Sequence, residues 1–383
     1  MSEVAPRQRF LIISNGHGED AIAAGIAERL QETASVEAYP MIASGKSYDN
    51  ICRIVGPRAT LASEGWRNVK GSVRRDVVNG GLGIIPPALK FIRSAARQYD
   101  QIVVVGDMTG VLACLLTGIR GITYLDVYKT GAARLYSGLE SWVIAKTCRQ
   151  VFCRAENLAE LLRQAGVRAS APGNLMMDTI PQGEYDAAAR RRRDLAVALL
   201  PGSRALTAES FALQVSALRQ LPADLRPDVF VAVAGSVNVE DLTRAAGLNR
   251  LPLLSSEPDD LGALTDGALT INLVRGRAMG NVLATADVVM SQAGTASVQA
   301  LGLGIPVITF RNARDRQSRF DDEQRLFGDA RVVVEAEPSQ TSAALKQLLG
   351  SPAERARLGA IGRERIGPPG AIDSVLEAVL SRP

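Results

Sequence analysis

The chain has 383 residues, more than one ordinary hydrophobic core accommodates, so two domains are expected. Its 46% hydrophobic and 22% charged residues are typical of a globular protein, and a net charge of +4 does not favour nucleic acid as a partner. One histidine, His17, and four scattered cysteines disfavour a histidine-rich catalytic centre or metal site and predict reduced thiols in the cytoplasm.

No apolar run reaches the roughly 18 residues of a membrane-spanning helix. The run Phe10–Ile13 is too short for a signal peptide. The slight excess of basic residues still permits attraction to an anionic membrane surface. The sequence therefore predicts a cytoplasmic protein that is soluble or peripheral on the cytoplasmic face of the membrane.

In the first half of the chain, apolar runs alternate with helical patterns. The predicted strands are Phe10–Ser14, Ile102–Val105, Ile122–Leu125 and Gln150–Cys153. Helical patterns follow at Asp20–Gln31, Val111–Leu116 and Asn157–Ala165. This alternation predicts βα units and a parallel sheet.

A second series of strands begins after the cluster Arg190–Arg193, which is predicted to be a solvated helix face, with a contact to anionic lipid as the alternative. These strands are 195–200, Val229–Ala234, Leu269–Leu273, Val288–Ser291 and Val307–Phe310. The chain is therefore predicted to form two Rossmann-like doubly wound α/β domains that face each other across a cleft. We expect these domains at residues 1–175 and 176–365, with a C-terminal helix in 366–383 that returns to the first domain.

Two loops in the second half combine groups that suit phosphate. Gly202, Ser203 and Arg204 follow a buried strand and supply N–H groups, a hydroxyl and a guanidinium. Gly294 and Thr295 precede a short helix whose N-terminus would bind a pyrophosphate. The alternatives are a tight turn with a surface arginine and a helix cap at Thr295. Together the two loops predict a nucleotide diphosphate ligand.

Two strand-end loops in the first half carry acidic residues instead. In Asn15-Gly16-His17-Gly18-Glu19-Asp20 the two acids fall in the first helical turn, where their charge repels phosphate, so this loop is predicted to contact an acceptor or a sugar hydroxyl. His17 could act as a general base because its unperturbed pKa lies near neutrality, with a structural loop role as the alternative. Asp107 ends a buried strand, and its alternative is a helix N-cap.

Three segments, in this order, resemble lipid A disaccharide synthase, a glycosyltransferase of the GT-B fold. They are Gly173–Asp178 at its spacing from Glu156, Leu199–Arg204, and Ala293–Pro306. The segment Ser14–Asp20 is similar to that of the cyanobacterial-type proteins related to this synthase. Ala293–Pro306 also resembles the donor-binding segment of the transferase that adds N-acetylglucosamine to the peptidoglycan lipid precursor.

The resemblance implies roles for the residues that match. Asp107 or His17 would take the proton of the acceptor hydroxyl. The donor would be held by Gly202, Ser203, Arg204, Gly294, Thr295, Ala296, Gln299 and Gln317. The acceptor and membrane side would include Asn15, Gly16, Gly18, Ile84, Ile85 and Phe91. The last three belong to the basic amphipathic segment Gly80–Arg93, for which a buried helix is the alternative. Thr207 and Gln299 stand where the family usually has glutamate.

The implied function is that of an inverting hexosyltransferase that moves a sugar from a UDP-sugar donor to a lipid or glycolipid acceptor at a membrane surface. The resemblance implies no cofactor and no metal ion, because helix N-termini and Arg204 can offset the charge of the diphosphate. A UDP-sugar 2-epimerase of the same fold and a non-catalytic nucleotide-sugar-binding protein are the alternatives, and a homodimer is left open.

Overall fold

The computed structural model describes residues 7–42, 44–58, 81–95, 97–133, 135–203, 206–253, 255–312 and 317–381, with backbone alone at His17, Gly81, Leu82 and Arg319. These residues form two compact α/β units. One unit comprises the residues up to Thr179 together with those from Pro369 onward, and the other comprises Ile180–Pro368. The boundary thus falls at 179/180, a few residues beyond the expected joint at 175/176.

Within its described residues, the first unit contains a seven-stranded sheet in which all neighbouring strands are parallel. The strands are β1 (Arg9–Ser14), β2 (Ser35–Pro40), β3 (Arg53–Ile54), β4 (Gln101–Gly106), β5 (Ile122–Asp126), β6 (Cys148–Phe152) and β7 (Ala169–Ser170). Their spatial order is β3-β2-β1-β4-β5-β6-β7, so the winding direction reverses between β1 and β4. The loops that follow these two strands therefore meet at the centre of the carboxyl edge.

Helices cover both faces of this sheet, as buried parallel strands require. They are α1 (His17–Leu30), α2 (Ile85–Ala95), α3 (Met108–Leu116), α4 (Gly138–Thr147), α5 (Glu156–Gln164) and α6 (Leu175–Asp178). Alternate side chains of β1 point to opposite faces, so Leu11 and Ile13 pack with α2–α5 while Phe10 and Ile12 pack with α1.

Within its described residues, the second unit contains an eight-stranded mixed sheet. The strands are β8 (Ala196–Leu200), β9 (Asp228–Val233), β10 (Asn249–Arg250), β11 (Asp260–Thr265), β12 (Thr270–Arg275), β13 (Val288–Ser291), β14 (Val307–Phe310) and β15 (Arg331–Val334). Their order is β10-β11-β12-β9-β8-β13-β14-β15, with reversal between β8 and β13. The pairing is parallel, as predicted, except at one edge, where β10 pairs antiparallel with β11 and β11 pairs antiparallel with β12.

The helices of the second unit are α7 (Thr207–Arg219), α8 (Val239–Ala246), α9 (Ala278–Thr285), α10 (Thr295–Leu303), α11 (Gln317–Phe327), α12 (Pro338–Gly350) and α13 (Pro352–Ile366). Each of α12 and α13 carries a proline in its first turn, where the missing N–H has no intrahelical partner. Helix α10 ends at Gly304, whose φ of +84° suits the left-handed conformation of a helix terminus.

The C-terminal helix α14 (Ala371–Leu380) belongs to the first unit. Its apolar side chains Ile372, Val375 and Val379 join the cluster that contains Phe10 and Ile12. The carboxylate of Asp178 accepts hydrogen bonds from the backbone N–H groups of Gly370 at 2.6 Å and Ile372 at 2.9 Å. The carboxylate of Asp178, which precedes the second unit in the chain, therefore caps the N-terminus of α14, which follows that unit.

The prediction of a helix at Arg190–Arg193 was wrong, and the predicted solvation holds only for Arg192 and Arg193, which are exposed. These residues lie in a turn and irregular chain. Arg190 Nη2 is 2.9 Å from Asp260 Oδ2, and the Asp260 side chain is only 2% exposed. Arg191 Nη2 lies 3.4 Å from Asp287 Oδ2. Arg190 is held inside the unit because the buried carboxylate of Asp260, at the start of β11, requires a nearby cation.

Among the helices that the described ranges contain, none is both long and apolar enough to cross a membrane.

Candidate functional site

In the first unit, the candidate residues Asn15 and Asp107 lie together at the point where the strand order reverses. Asn15 follows β1, and its Nδ2 donates a hydrogen bond of 2.5 Å to Asp107 Oδ1 at the end of β4. The same oxygen accepts the backbone N–H of Thr109 at 2.8 Å, so Asp107 is the N-cap of α3. Helix α3 therefore begins at Met108, three residues before its predicted start, because this cap satisfies its first turn.

Gly106 makes the contact between these two loops feasible. Its φ of +143° is accessible mainly to glycine, and a Cβ there would lie 1.9 Å from Asn15 Oδ1. The carbonyl of Gly106 accepts the hydroxyl of the buried Tyr124 at 3.2 Å. Asn15 Oδ1 itself is buried without a hydrogen-bond partner in the described part of the chain. The loop pair thus contains a half-buried carboxylate and a buried amide carbonyl, both with hydrogen-bonding capacity that no described residue uses.

The glycine-rich loop after β1 starts α1 at once. Gly16 is the N-cap, and Glu19 and Asp20 occupy the first turn. Asp20 is buried and accepts a 2.6 Å hydrogen bond from Ser14 Oγ, which lies 2.7 Å from the hydroxyl of Tyr48. Burial, followed by the charge of Asp20, raises the pKa of Tyr48 well above its ordinary value. Asp20, one of the two acids predicted to repel phosphate, is therefore held in place by Ser14, whereas the side chain of His17 lies outside the described part.

A second carboxylate at this edge was missed from the sequence. Asp126 ends β5 beside Gly106, is buried, and accepts hydrogen bonds from the hydroxyl of Tyr136 and the N–H groups of Tyr128 and Lys129. Burial raises its pKa above the ordinary value, while the Tyr136 hydrogen bond lowers it. Asp126 follows an apolar strand just as Asp107 does, so the same strand-end rule could have found it.

The space beside Asp126 is small. A cavity of about 10 Å³ is lined by Asp126, Cys153, Arg154 and Asn174, among others. A volume of that size holds roughly one water molecule and no sugar. The Asp126 cluster therefore holds the chain that follows β5, and this cavity does not accommodate a sugar.

In the second unit, the two candidate phosphate loops also meet at the reversal of strand order. The N–H of Gln292, after β13, donates to the carbonyl of Leu200 at the end of β8, at 2.8 Å. Gly202 has φ +99°, and a Cβ there would lie 3.5 Å from the Gln292 carbonyl oxygen. Ser203 is exposed beside it, whereas Arg204 lies outside the described residues. The sequence separates these loops by about ninety residues, and the sheet brings them into contact.

Helix α10 begins in this loop pair with its first turn uncapped. Gly294 occupies the N-cap position and provides no side-chain hydrogen bond. Gly294 and Thr295 are exposed, and Ala296 is half-buried. The predicted alternative of a Thr295 cap was wrong, because Thr295 is already the first helical residue. An exposed, uncapped helix N-terminus presents N–H groups and partial positive charge to an anion.

The other two donor candidates lie in different surroundings. Gln299 is 3% exposed within α10, whereas Gln317 is exposed as the first residue of α11. Gln292, which the sequence did not single out, links the ends of β13 and β14. Its Nε2 donates to Thr309 Oγ1 at 3.1 Å and to the Phe310 carbonyl at 3.0 Å. No local sequence pattern predicts these hydrogen bonds, because the partners of Gln292 are seventeen and eighteen residues away.

The segment predicted to lie on the membrane side is divided between surface and interior. Ile84 is half-buried and Ile85 is exposed at the start of α2. Phe91 instead packs edge-on against Tyr39, with ring centroids 4.8 Å apart. It also lines a cavity of about 420 Å³ with Arg9 and Tyr99, near the amino ends of β1 and β4. Within the described ranges, no cluster of three or more histidine, cysteine or acidic residues could hold a metal ion.

Comparison with known proteins gives one partial sequence match. No model of a protein family matches the chain. The lipid-A-disaccharide synthase of Azoarcus sp. (strain BH72) is 31% identical over 175 residues, which amount to 44% of this chain and 41% of the synthase. The chain thus matches less than half the length of that relative.

Solved structures extend the likeness over almost the whole chain. The UDP-GlcNAc 2-epimerase from Neisseria meningitidis, bound to UDP-GlcNAc, has a TM-score of 0.56 at 12% identity, covering 97% of this chain and 100% of that chain. The glycosyltransferase SnogD from Streptomyces nogalater has a TM-score of 0.55 at 16% identity, covering 97% and 99%. At such identities the likeness establishes the fold. The chain has two Rossmann-like α/β units and the GT-B fold shared by UDP-sugar epimerases and glycosyltransferases.

Proposed function

We propose that the chain is an inverting glycosyltransferase that moves a hexose from a UDP-sugar to the hydroxyl of a lipid-linked acceptor. The observation that supports it best is the loop pair at the reversal point of each sheet: Asn15 with Asp107, and Gly202 with Gln292. In open α/β sheets, ligands bind where the strand order reverses at the carboxyl ends. The partial identity to a lipid-A-disaccharide synthase supports a lipid acceptor.

The second unit would hold the donor. The pyrophosphate would lie at the uncapped N-terminus of α10, where Gly294 and Thr295 are exposed, and against the turn at Gly202 and Ser203. Arg204 would add a full positive charge. These groups offset the charge of the departing diphosphate, so we propose that no metal ion is required. Transfer that survives excess EDTA supports this part of the proposal, and transfer that EDTA abolishes contradicts it.

The first unit would hold the acceptor and remove its proton. Both observed hydrogen bonds to Asp107 fall on Oδ1, so Oδ2 would face the acceptor hydroxyl. As Oδ2 takes the proton, the hydroxyl oxygen forms a bond to the anomeric carbon. The bond between that carbon and the UDP oxygen breaks, and its electron pair leaves with UDP. One displacement of this kind inverts the anomeric configuration. His17 is the alternative base.

The test is incubation of the protein with radiolabelled UDP-sugars and total membrane lipids, followed by chromatography of the lipid phase. The proposal expects labelled lipid and free UDP in equal amounts. Full transfer by both Asp107→Asn and His17→Ala would remove the assignment of the base. Absence of labelled lipid with every UDP-sugar and lipid fraction would overturn the transferase itself.

A UDP-sugar 2-epimerase is the second candidate, because epimerases with UDP-sugar ligands share this fold. That reaction changes the configuration at C2 of the sugar and needs no acceptor. UDP release without any labelled lipid, together with a changed sugar, would favour the epimerase. Tight binding of UDP with no turnover would favour a non-catalytic binding protein.

A further inference from the structure

Two neighbouring helices of the first unit, α3 and α4, expose large apolar side chains. On α3, Leu112 and Leu116 are 44% and 60% exposed. On α4, Leu139 and Trp142 are 72% and 53% exposed. Residues three or four apart share a helix face, and α3 packs against α4. We call these four side chains the α3–α4 face.

This face is not required by the core of the unit. The inner side of α3 already buries Val111 and Cys114, and the inner side of α4 buries Val143 and Ile144. The next helix, α5, shows the usual arrangement, since its outer side carries the ion pairs of Arg163 with Glu156 and Glu160. Two adjacent helices with apolar outer sides therefore point to a partner surface.

Among the described residues of α2, α3 and α4, the exposed charged side chains are all positive. Lys146 is exposed on α4, and Lys90 and Arg93 are exposed on α2, which packs against α3. The sequences of α2, α3 and α4 contain a single acidic residue, Glu140. Its Oε1 lies 2.8 Å from Lys129 Nζ, so its charge is already paired. The surface combines exposed leucine and tryptophan with positive charge that no acid of α2, α3 or α4 compensates.

We propose that the α3–α4 face docks on the surface of an anionic bilayer. Tryptophan and leucine side chains are suited to the boundary between headgroups and acyl chains, while lysine and arginine attract anionic lipid. A second copy of the chain is the less suitable partner. A twofold contact through this face would bring like cations of the two copies together without an acid to compensate them.

The surface also has a place in the proposed function. Asp107 is the N-cap of α3, and a helix of nine residues is about 13 Å long. Docking α3 on a bilayer would hold Asp107 close to the layer where a lipid-linked acceptor resides. This consequence rests on the proposed transferase activity, whereas binding to the bilayer does not.

The first experiment measures sedimentation of the whole chain with vesicles of phosphatidylcholine, with and without phosphatidylglycerol, in the absence of nucleotide and acceptor. We expect binding to the anionic vesicles only. Leu139→Ser combined with Trp142→Ser should weaken it at least tenfold, and Lys146→Glu about tenfold. Leu253→Ser is the matched control, because Leu253 is 51% exposed in the second unit and should leave binding unchanged.

The second experiment leaves the side chains of the α3–α4 face unchanged. The chain has two tryptophans, so Trp66→Phe leaves Trp142 as the only one. Anionic vesicles should shift the emission of Trp142 to shorter wavelength and protect it from quenching by acrylamide.

Equal binding to neutral vesicles, full binding by the double variant, or an unshifted emission would overturn the proposal. A dimer that the double variant converts to monomer would assign the face to a second copy. Loss of sugar transfer to detergent-dispersed lipid would bear on the proposed transferase activity and not on binding to the bilayer.

Discussion

The reversal points of the two sheets have the same topology and opposite chemistry. In the first unit, residues 15–20 and 106–110 contain Glu19, Asp20 and Asp107. In the second unit, residues 201–206 and 292–298 contain no acid and one arginine. A carboxylate caps one of the helices at the first point, since Asp107 caps α3, whereas α1 at the first point and α10 at the second both begin at a glycine that provides no side-chain cap.

This difference shows that two loop pairs of the same topology can carry opposite charge. A carboxylate that caps a helix keeps a fixed orientation and repels phosphate, which suits it to accept a proton from a hydroxyl. An uncapped helix N-terminus after a glycine-rich turn attracts an anion. Under the proposed function, the charges of the strand-end loops would separate an acceptor side from a nucleotide side. The first three predictions below alter one of the two reversal points, and the fourth alters the neighbouring Asp126 cluster.

The largest effect is expected from Asp107→Asn. Asparagine is as good an N-cap as aspartate, so α3 should remain intact. The variant should lose about 10²- to 10⁴-fold of the transfer rate because it cannot take a proton, while its affinity for UDP stays unchanged. The rate of labelled lipid formation and a UDP titration measure the two quantities. Asp100→Asn removes an exposed carboxylate of the same unit and should be neutral. Full transfer activity of the D107N variant would contradict the assignment of Asp107 as the base.

Gly106→Ala tests the contact between the loops of the first unit. The Cβ would meet Asn15 Oδ1, and the φ of +143° would be strained, so we expect a loss of about 2–3 kcal/mol in the free energy of unfolding and impaired transfer. Gly118→Ala is the matched control, because Gly118 has φ +82° and open space around it. Urea denaturation compares them, and equal losses would mean that the Asn15 contact contributes nothing.

Gly294→Asp would make the second reversal point resemble the first. The site has room for the side chain, since a Cβ on Gly294 meets nothing within 4 Å. The new carboxylate should stabilise the N-terminus of α10 by up to about 1 kcal/mol while weakening UDP binding at least about tenfold. Calorimetry with UDP and thermal unfolding separate these opposite effects. Gly350→Asp adds the same charge at another exposed glycine with open space, at the end of α12, and should not change UDP affinity.

The smallest effect concerns Tyr136→Phe, which removes the hydroxyl that donates to buried Asp126 and should cost about 1 kcal/mol at neutral pH. Burial holds the pKa of Asp126 above 3.8, and the lost hydrogen bond would raise it further. The stability that this carboxyl contributes is complete below its unfolded pKa and decreases as pH rises through the folded value. The deficit of the variant should therefore be larger at about pH 8 than at about pH 4.

The control for this pH dependence is Tyr185→Phe. The hydroxyl of Tyr185 is buried without a hydrogen-bond partner among the described residues, so its removal should be neutral or stabilising at both pH values. Urea denaturation of the three proteins at the two pH values gives the comparison. A deficit of Tyr136→Phe that stays constant with pH would show that Asp126 does not titrate in response to Tyr136.

Much of the candidate site follows from strand-end reasoning. The runs Phe10–Ser14 and Val288–Ser291 are apolar enough to require burial, and a residue directly after such a strand must lie at a sheet edge. The same reasoning passed over Asp126, because its strand is followed by no glycine-rich turn. The interpretation of the charge run Arg190–Arg193 as a solvated helix face failed at Arg190, because only the tertiary structure places the buried Asp260 beside it.

The order of apolar and polar residues determined by itself that this chain builds two α/β units with glycine-bearing turns after their strands, since burial and backbone conformation are local demands. Only the tertiary structure decided which turns meet. Asn15 and Asp107 are 92 residues apart, and the hydrogen bond between them exists because β1 and β4 are neighbours in the sheet. Likewise, Leu112 and Trp142 are ordinary core candidates in the sequence, and the packing of α3 and α4 left them in solvent.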